Sequence, residues 1–560
     1  MDLQSEIIVL LRQIAAKIDS AIAEDESLGL LEVPKSRQFG DFSTNLAMLL
    51  AKKTQNSPLE IAAQIKKDLE SALGTVALGK KIAKVEIKGP GFINFFVHAE
   101  CLSAILDEIH DQKNNFGKLY LGKGAKIHLE FVSANPTGPL NVAHGRQAAF
   151  GDTLANMLQR SGYAVTREYY LNDEGVQMNI LGESTRAKYL KLVGREAEFP
   201  ADGYKGKYID ELAALIAKKY GRKFADRKDE RCREFFVQFA GNEILAQIKK
   251  DLRDFGVEYD SWFSQRKLNR SGKITEVLDY LKKEGFLFQK EGAWWLASTR
   301  FGDDKDRVVI KSDGNLTYIA PDIAYHKSKF LRGYTRLINI WGPDHHGYIS
   351  RIKAAVSALG YDAQSLTVLI AQLVSLVKAD QVIPMSTRQG QYVSLADIIH
   401  AVGKDAARFF FLMRKRDSHL QFDLELAKSQ SMENPVYYIQ YAHARCCNIL
   451  KLANSVARMK MPWSRSVDLA LLDKPEEAAL IQTLGAFPAV IEYCVNTLEP
   501  HRITSYLQDL AKDFHHYYEK HRVVTQDIKL TRARLYLVEA TRIVLRNGLR
   551  LMAISAPEKM

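Results

Sequence analysis

Lys126-Ile127-His128-Leu129-Glu130-Phe131-Val132-Ser133-Ala134-Asn135-Pro136-Thr137-Gly138-Pro139-Leu140-Asn141-Val142-Ala143-His144-Gly145-Arg146 reads in three pieces. Ile127 to Val132 is mostly apolar, β-branched or aromatic, the signature of a short buried strand. Ser133 to Pro139 holds two prolines and a glycine and must turn. From Val142 to Arg160 the apolar Phe150, Leu154, Met157 and Leu158 fall at helical spacing, and Ser161-Gly162 ends the run. Strand, tight turn and helix open an α/β sheet of the kind that binds ligands outside the carboxyl ends of its strands. At the helix start, Gly145 is expected to let the backbone approach a ligand. His144 and Arg146 place donors beside N–H groups that already favour an anion, so a phosphate is the natural guest. The plainer alternative is that His144 only caps the helix.

Bulk properties narrow the setting. A chain of 560 residues accommodates two to four domains, and 46% hydrophobic with 26% charged residues is ordinary for a soluble protein. No apolar run approaches about 18 residues, so no membrane span is expected. Met1-Asp2-Leu3-Gln4-Ser5-Glu6 lacks the basic-then-apolar pattern of a signal peptide. The five cysteines (Cys101, Cys232, Cys446, Cys447, Cys494) have no metal-binding spacing, so reduced thiols in a cytoplasm are expected. The net charge of +12 is compatible with a polyanionic partner.

Three regions follow. Residues 1–115 read as an α+β domain: helices at Ile7–Ile22, Asn45–Lys53 and Pro58–Leu73, then strands Val85–Ile87 and Phe92–Val97 around Gly89-Pro90-Gly91. The stretch Lys35 to Phe42 mixes basic and aromatic groups, which suits phosphates and unpaired bases as well as an ordinary surface loop. Residues 120–425 read as the α/β core, with Thr166–Leu171 as a strand, an insertion of charged amphipathic helix at about 182–300, and strand character at Leu316–Ala320. If the chain leaves that strand after Tyr318, then Tyr318 and Asp322 face one pocket. An acid there with no local cation invites a cationic ligand, best a guanidinium in a bidentate fork. Asp344-His345-His346 alternates faces in an extended segment and so makes a poor metal site. Residues 426–560 are helical throughout, with Tyr437, Tyr441 and Arg445 on one helix face.

Ser133-Ala134-Asn135-Pro136-Thr137-Gly138-Pro139-Leu140, followed by Val142, His144, Gly145 and Arg146, resembles the nucleotide-binding signature of class I aminoacyl-tRNA synthetases, in the form that the arginyl enzymes carry. The family's His-x-Gly-His stands here as Asn141-Val142-Ala143-His144. Met385-Ser386 with Arg388 is similar to its Lys-Met-Ser-Lys-Ser loop, with Pro384 and Thr387 at the lysines. Asn172-Asp173-Glu174-Gly175-Val176-Gln177, Gly89 to Phe95 and the final Pro557-Glu558-Lys559-Met560 also look like the arginyl family, so the likeness covers essentially the whole chain.

That resemblance implies a Rossmann-like parallel-sheet catalytic core between an α+β N-terminal domain and an all-α anticodon-binding domain. It implies ATP-dependent activation of L-arginine and transfer to the 3′-terminal adenosine of tRNA(Arg), with Mg²⁺ carried by the nucleotide and no dedicated protein metal site. Asn141, His144, Ser386 and Arg388 would be catalytic, with Lys378 and Arg146 as further candidate cations. Glu130, Asn135, Tyr318, Asp322 and Asp344 would bind arginine. Pro136, Gly138, Asn141, Ala143, His144, Gly145, His345, His346, Met385 and Ser386 would bind ATP. Phe92 and Asn94 would meet a D-loop base, and Tyr437, Tyr441 and Arg445 the tRNA. A cytoplasmic monomer is expected. Asn141, Ala143, Pro384 and Thr387 leave a second reading open, a catalytically impaired synthetase paralogue that binds RNA. A class I enzyme for another amino acid is disfavoured, because it would leave two carboxylates unmatched.

Overall fold

The computed structural model describes residues 3–25, 30–32, 34, 39–378, 381–383, 393–456 and 467–560. The chain forms two compact units. One holds Tyr120–Gln430 with Met552–Ile554, and the other holds Met1–Leu119 with Ser431–Leu551 and Ser555–Met560.

The first unit is built on five parallel strands: β1 (Lys126–Glu130), β2 (Ala164–Leu171), β3 (Ser261–Ser264), β4 (Arg336–Trp341) and β5 (Leu366–Ile370). Their spatial order is β5-β4-β1-β2-β3. The chain winds outward from β1 to β3, then returns to the other side of β1 at β4. The gap between the ends of β1 and β4 is therefore the place where successive connections run to opposite sides and open a crevice. Ile127 to Glu130 are all buried, as a central parallel strand requires.

Helix α1 (Val142–Arg160) follows β1, and every residue from Gly145 to Ala155 is buried. Two glycines permit this. A Cβ on Gly151 would stand 2.4 Å from the Phe131 ring, and one on Gly145 would stand 2.8 Å from Leu395 Cδ1 and 3.0 Å from the Phe411 ring. Gly145 thus serves the packing of α1 on α3 (Leu395–Leu412). A side chain there would wedge the helices apart.

Two further expectations are corrected. The stretch 182–300 opens with the helices Val176–Leu192, Lys207–Tyr220 and Glu230–Asp254. It then supplies the core strand β3, two more short helices, and strands Leu287–Lys290 and Ala293–Leu296, which join Arg307–Ile310 in a small antiparallel sheet. The four residues of β3 form a half-buried edge, too short to stand out against charged text. Leu316–Ala320 is not a strand: Leu316 makes one bridge to Ile310, and helix α2 (Ile319–Leu331) begins at once. Pro321 sits in the first turn of α2, where its missing N–H costs no helical bond.

The second unit combines a three-stranded sheet, Phe42–Thr44, Phe92–Val97 and Ile82–Lys88 in that order, with helices Leu3–Ala16, Leu46–Thr54 and Pro58–Leu73 and a C-terminal set of long helices. Within it, Tyr536 Oη donates to Asp107 Oδ1 at 2.8 Å and Asn547 Nδ2 to the Lys113 carbonyl at 2.8 Å. One stretch, Pro475–Thr497, is long and apolar enough by composition to cross a membrane, contrary to the expectation of none. It is two helices meeting at Ala486, and half of its apolar window is buried.

Candidate active site

The C-terminal ends of β1 and β4 open on a cavity of about 400 Å³. Glu130 closes β1 and Trp341 closes β4. The loop from Val132 to Asn135, the first turns of α1 and α2, Asn172 after β2, and the turn Pro343–Tyr348 complete the wall. Val132 and Ser133 both have positive φ, 67° and 42°, so the chain leaves β1 through a left-handed bend. Such backbone conformations persist where the surroundings hold them and often mark a binding site.

At the start of α1, Asn141 Oδ1 accepts from the Ala143 and His144 N–H groups at 3.0 and 3.1 Å, and His144 Nδ1 accepts from the Asn141 N–H at 3.1 Å. This reciprocal cap satisfies early N–H groups of the helix. It also fixes the tautomer. Nδ1 is an acceptor, and burial lowers the His144 pKa to about 4. The imidazole is therefore neutral at pH 7, with its proton on Nε2. His144 lines the cavity, whereas Pro136, Gly138, Asn141, Ala143, Gly145 and His346 do not. Pro136 is buried, and Gly138 lies against Tyr208.

Arg146 is not a phosphate ligand. Its guanidinium is buried and donates to the Gln372, Ser418 and Lys415 carbonyls at 2.9, 2.8 and 2.8 Å, and desolvation lowers its pKa to about 10. It staples the segments after β5 to α1. Lys378 is exposed at the end of strand Val374–Lys378. Pro384, Met385, Ser386, Thr387 and Arg388 lie outside the described residues, as do Lys35 to Gln38.

The acids of the cavity differ. Asp322 Oδ2 accepts from Tyr348 Oη at 2.5 Å, and among the described residues Asp322 forms no ion pair. Burial pushes its pKa up to about 6, the Tyr348 hydroxyl opposing and the Glu130 charge adding to the rise. What exposure it keeps is toward the cavity that it lines. Glu130 lines the same cavity but is paired internally: Lys329 Nζ lies 2.6 Å from its Oε2, with both side chains buried. The expectation of two unpaired carboxylates is corrected to one. Sequence reading missed Lys329 because it lies 199 positions from its partner and looks like any helix lysine. The signal was its period: Asp322, Tyr325, His326 and Lys329 share the face of α2 that meets the sheet.

Asn135 lines the cavity and donates through Nδ2 to Gln177 Oε1 at 2.6 Å. Tyr318 does not line it: at 78% exposure it projects from the first turn of α2. Asp344 and His345 face the cavity from an exposed turn, 3.2 Å from one another. No group of three or more His, Cys, Asp or Glu able to hold a metal occurs among the described residues. Two cavity-lining acceptors are buried without a partner: Gln147 Oε1, which the sequence did not single out, and Asn172 Oδ1, known from sequence only as the head of a family motif.

Behind the cavity, Glu168 on β2 accepts from His128 Nε2 (2.8 Å), Tyr325 Oη (2.7 Å), Ser261 Oγ (2.8 Å) and both terminal nitrogens of Arg332 (2.5 and 3.0 Å). This carboxylate fastens α2 to three strands and so fixes the Asp322 side of the cavity.

Comparison with known proteins agrees with this geometry. The family model for the class I (R) tRNA synthetase catalytic domain matches residues 106–423, that for the arginyl tRNA synthetase N-terminal domain matches 6–97, and that for the DALR anticodon binding domain matches 439–560. The protein of Carboxydothermus hydrogenoformans named arginine–tRNA ligase is 46% identical over 555 residues, covering 99% of this chain and 98% of that one. The chain belongs to the arginyl-tRNA synthetase family. Another relative of the same name, from Moorella thermoacetica, is 45% identical over 98% of this chain and 99% of its own. The Thermus thermophilus arginyl-tRNA synthetase structure superposes with a TM-score of 0.75 at 21% identity over 98% of this chain and 99% of that one, which shows the common fold.

In this synthetase the residues expected to touch tRNA are placed unevenly. Asn94 is buried, its Oδ1 accepting from Ser43 Oγ at 2.7 Å, which corrects the expectation that it presents an amide to a base; Phe92 beside it is half-buried. Tyr437 and Tyr441 stack with ring centroids 6.1 Å apart, and Arg445 donates to Tyr441 Oη at 2.7 Å. All three side chains are half-buried, a ladder with one edge to solvent.

Proposed function

We propose that the cavity between β1 and β4 binds L-arginine beside ATP, and that the chain is an arginine–tRNA ligase acting on tRNA(Arg). The arginine carboxylate attacks the α-phosphate in line and pyrophosphate leaves; the 2′-hydroxyl of the terminal adenosine then attacks the carbonyl of the adenylate, taking the arginyl group and releasing AMP, and Mg²⁺ would ride with the nucleotide. Such chemistry asks the protein mainly for positioning and charge stabilisation.

The observation that carries this reading is Asp322: a carboxylate on the cavity wall with a hydroxyl donor and, among the described residues, no ion-paired cation. A guanidinium supplies the missing charge, and Glu130 Oε1 and Asn135 flank it. The unpartnered oxygens of Gln147 and Asn172 suit the substrate ammonium, since an unsatisfied buried acceptor is costly until a donor arrives. His144 Nε2–H and the Asn141 amide stand at the positive end of α1, where they can donate to the nucleotide without adding charge. The Tyr437–Tyr441–Arg445 ladder offers stacking and a cation to RNA. Function as a cytoplasmic monomer fits this reading.

Pyrophosphate exchange measured with ATP, tRNA and each amino acid in turn tests the proposal. Exchange with arginine alone is expected. Exchange with another amino acid contradicts the specificity, and no exchange at all favours the impaired RNA-binding paralogue.

A further inference from the structure

Lys329 has no role in the reaction outlined above, yet it is wholly buried against the arginine cavity. Its Nζ stands 2.6 Å from Glu130 Oε2, 3.1 Å from Asn339 Oδ1 and 4.1 Å from the centre of the Tyr325 ring. Every contact is internal, so Lys329 touches no reactant. Nor does stability account for it. Burying an ion pair carries a large desolvation cost, and a well-packed apolar pair of similar volume is often as stable or more so.

Charge counting gives the reason. Of the groups set into the wall, Glu130 contributes −1, Lys329 +1 and Asp322 −1, so this part of the wall carries −1; Asp344, also on the wall, is exposed and its charge is screened by water. One guanidinium brings it to zero. Without Lys329 the wall carries −2, and one guanidinium cannot close it. Geometry points the same way. Lys329 takes one oxygen of Glu130 and leaves Oε1 without a protein donor among the described residues.

We propose that Lys329 is a positioning residue of the arginine site, which holds Glu130 by one oxygen and sets the charge of the wall to that of a single guanidinium. This inference rests on reading the cavity as the arginine site. The groups that act on Asp322 are Tyr348 and His345 from the turn after β4, Glu130 from β1, Tyr170 from β2, and Lys329 itself, whose charge lowers its pKa. Removing Lys329 while Glu130 stays charged should therefore protonate Asp322 at a higher pH and weaken arginine binding at neutral pH.

The test is arginine-dependent pyrophosphate exchange at saturating ATP and tRNA, with arginine titrated from pH 5.5 to 8.5, for wild type, Lys329→Met and the double variant Lys329→Met/Glu130→Gln. Lys329→Met is expected to raise the arginine KM about tenfold at pH 7. Its inflection in KM against pH should move up by about half a unit or more, with the ATP KM unchanged. The double variant removes both charges at once. Its inflection should return to the wild-type pH while its arginine KM stays raised, a split that mere loss of packing does not produce. Should Lys329→Met fail to fold, the double variant decides alone, since it leaves no unpaired buried charge. A wild-type arginine KM in the double variant, or an unmoved inflection in a folded Lys329→Met, overturns the proposal. A wild-type protein that shows no arginine-dependent exchange overturns the reading of the cavity, and the role of Lys329 with it.

Discussion

The hydroxyl of Tyr348 donates to Asp322 Oδ2 at 2.5 Å, tying the turn after β4 to the first turn of α2. Asp322 is thereby held against the cavity wall without being neutralised. Tyr348→Phe keeps the ring and removes the donor. A hydrogen bond to a charged group contributes about 1.5–3 kcal/mol, so the arginine KM should rise about tenfold at pH 7. The ATP KM should stay within about twofold. Steady-state exchange kinetics check both, and an unchanged arginine KM would show that the hydroxyl is dispensable.

The charge on Asp322 predicts a pH dependence. Its pKa is raised to about 6, so the acid is neutral below that pH and ionised above it. Guanidinium binding needs the ionised form. The arginine KM should therefore be lowest above about pH 7 and roughly tenfold higher near pH 5. His144, lowered to about 4, remains neutral across this window and adds no inflection. A flat profile would mean that Asp322 does not meet the substrate.

Gly145→Ala distinguishes packing from ligand approach. The new Cβ would lie 2.8 Å from Leu395 Cδ1 and 3.0 Å from the Phe411 ring. Overpacking of this kind costs about 1–3 kcal/mol. A lowered melting temperature with a nearly unchanged ATP KM is expected. The reverse result, intact stability with a raised ATP KM, would return the glycine to the nucleotide site.

Glu168→Gln should be among the most destabilising single changes in the catalytic unit. It removes the buried charge to which His128, Tyr325, Ser261 and the exposed Arg332 all donate, a loss of about 1.5–3 kcal/mol. The hydrogen bonds hold the Glu168 pKa far below the ordinary 4.5. Its stabilisation is therefore fully present above 4.5 and is lost as the pH falls through the folded-state value. Urea titrations at neutral and acid pH should show the variant differing most from wild type at neutral pH. Equal differences at both would show that the network is not ionic.

Much of this was legible in the residues. The limits of α1 follow from apolar spacing and from Asn141 and Ser161-Gly162 at its ends, and the structure has the helix at Val142–Arg160. The crevice follows from strand, turn and helix. What could not be read is pairing at a distance. Nothing local to Arg146 shows that three carbonyls from beyond residue 370 enclose it. Nothing local to Glu130 shows that its partner is Lys329. Tyr318 and Asp322 are spaced to share a helical face, but burial depends on where the first turn lies against the sheet. It admits Asp322 to the cavity and leaves Tyr318 in solvent. Asn94 fails for the same reason: a strand gives its residue a face, and only the packed sheet shows that this one is covered.

The most direct measurement is the arginine KM of Asp322→Ala in tRNA-dependent pyrophosphate exchange at pH 7.5. The expected result is a rise of about a hundredfold or more, because a site built for a forked cation loses its one unpaired charge, with an ATP KM close to wild type. An arginine KM within about twofold of wild type would contradict the assignment of the cavity to arginine.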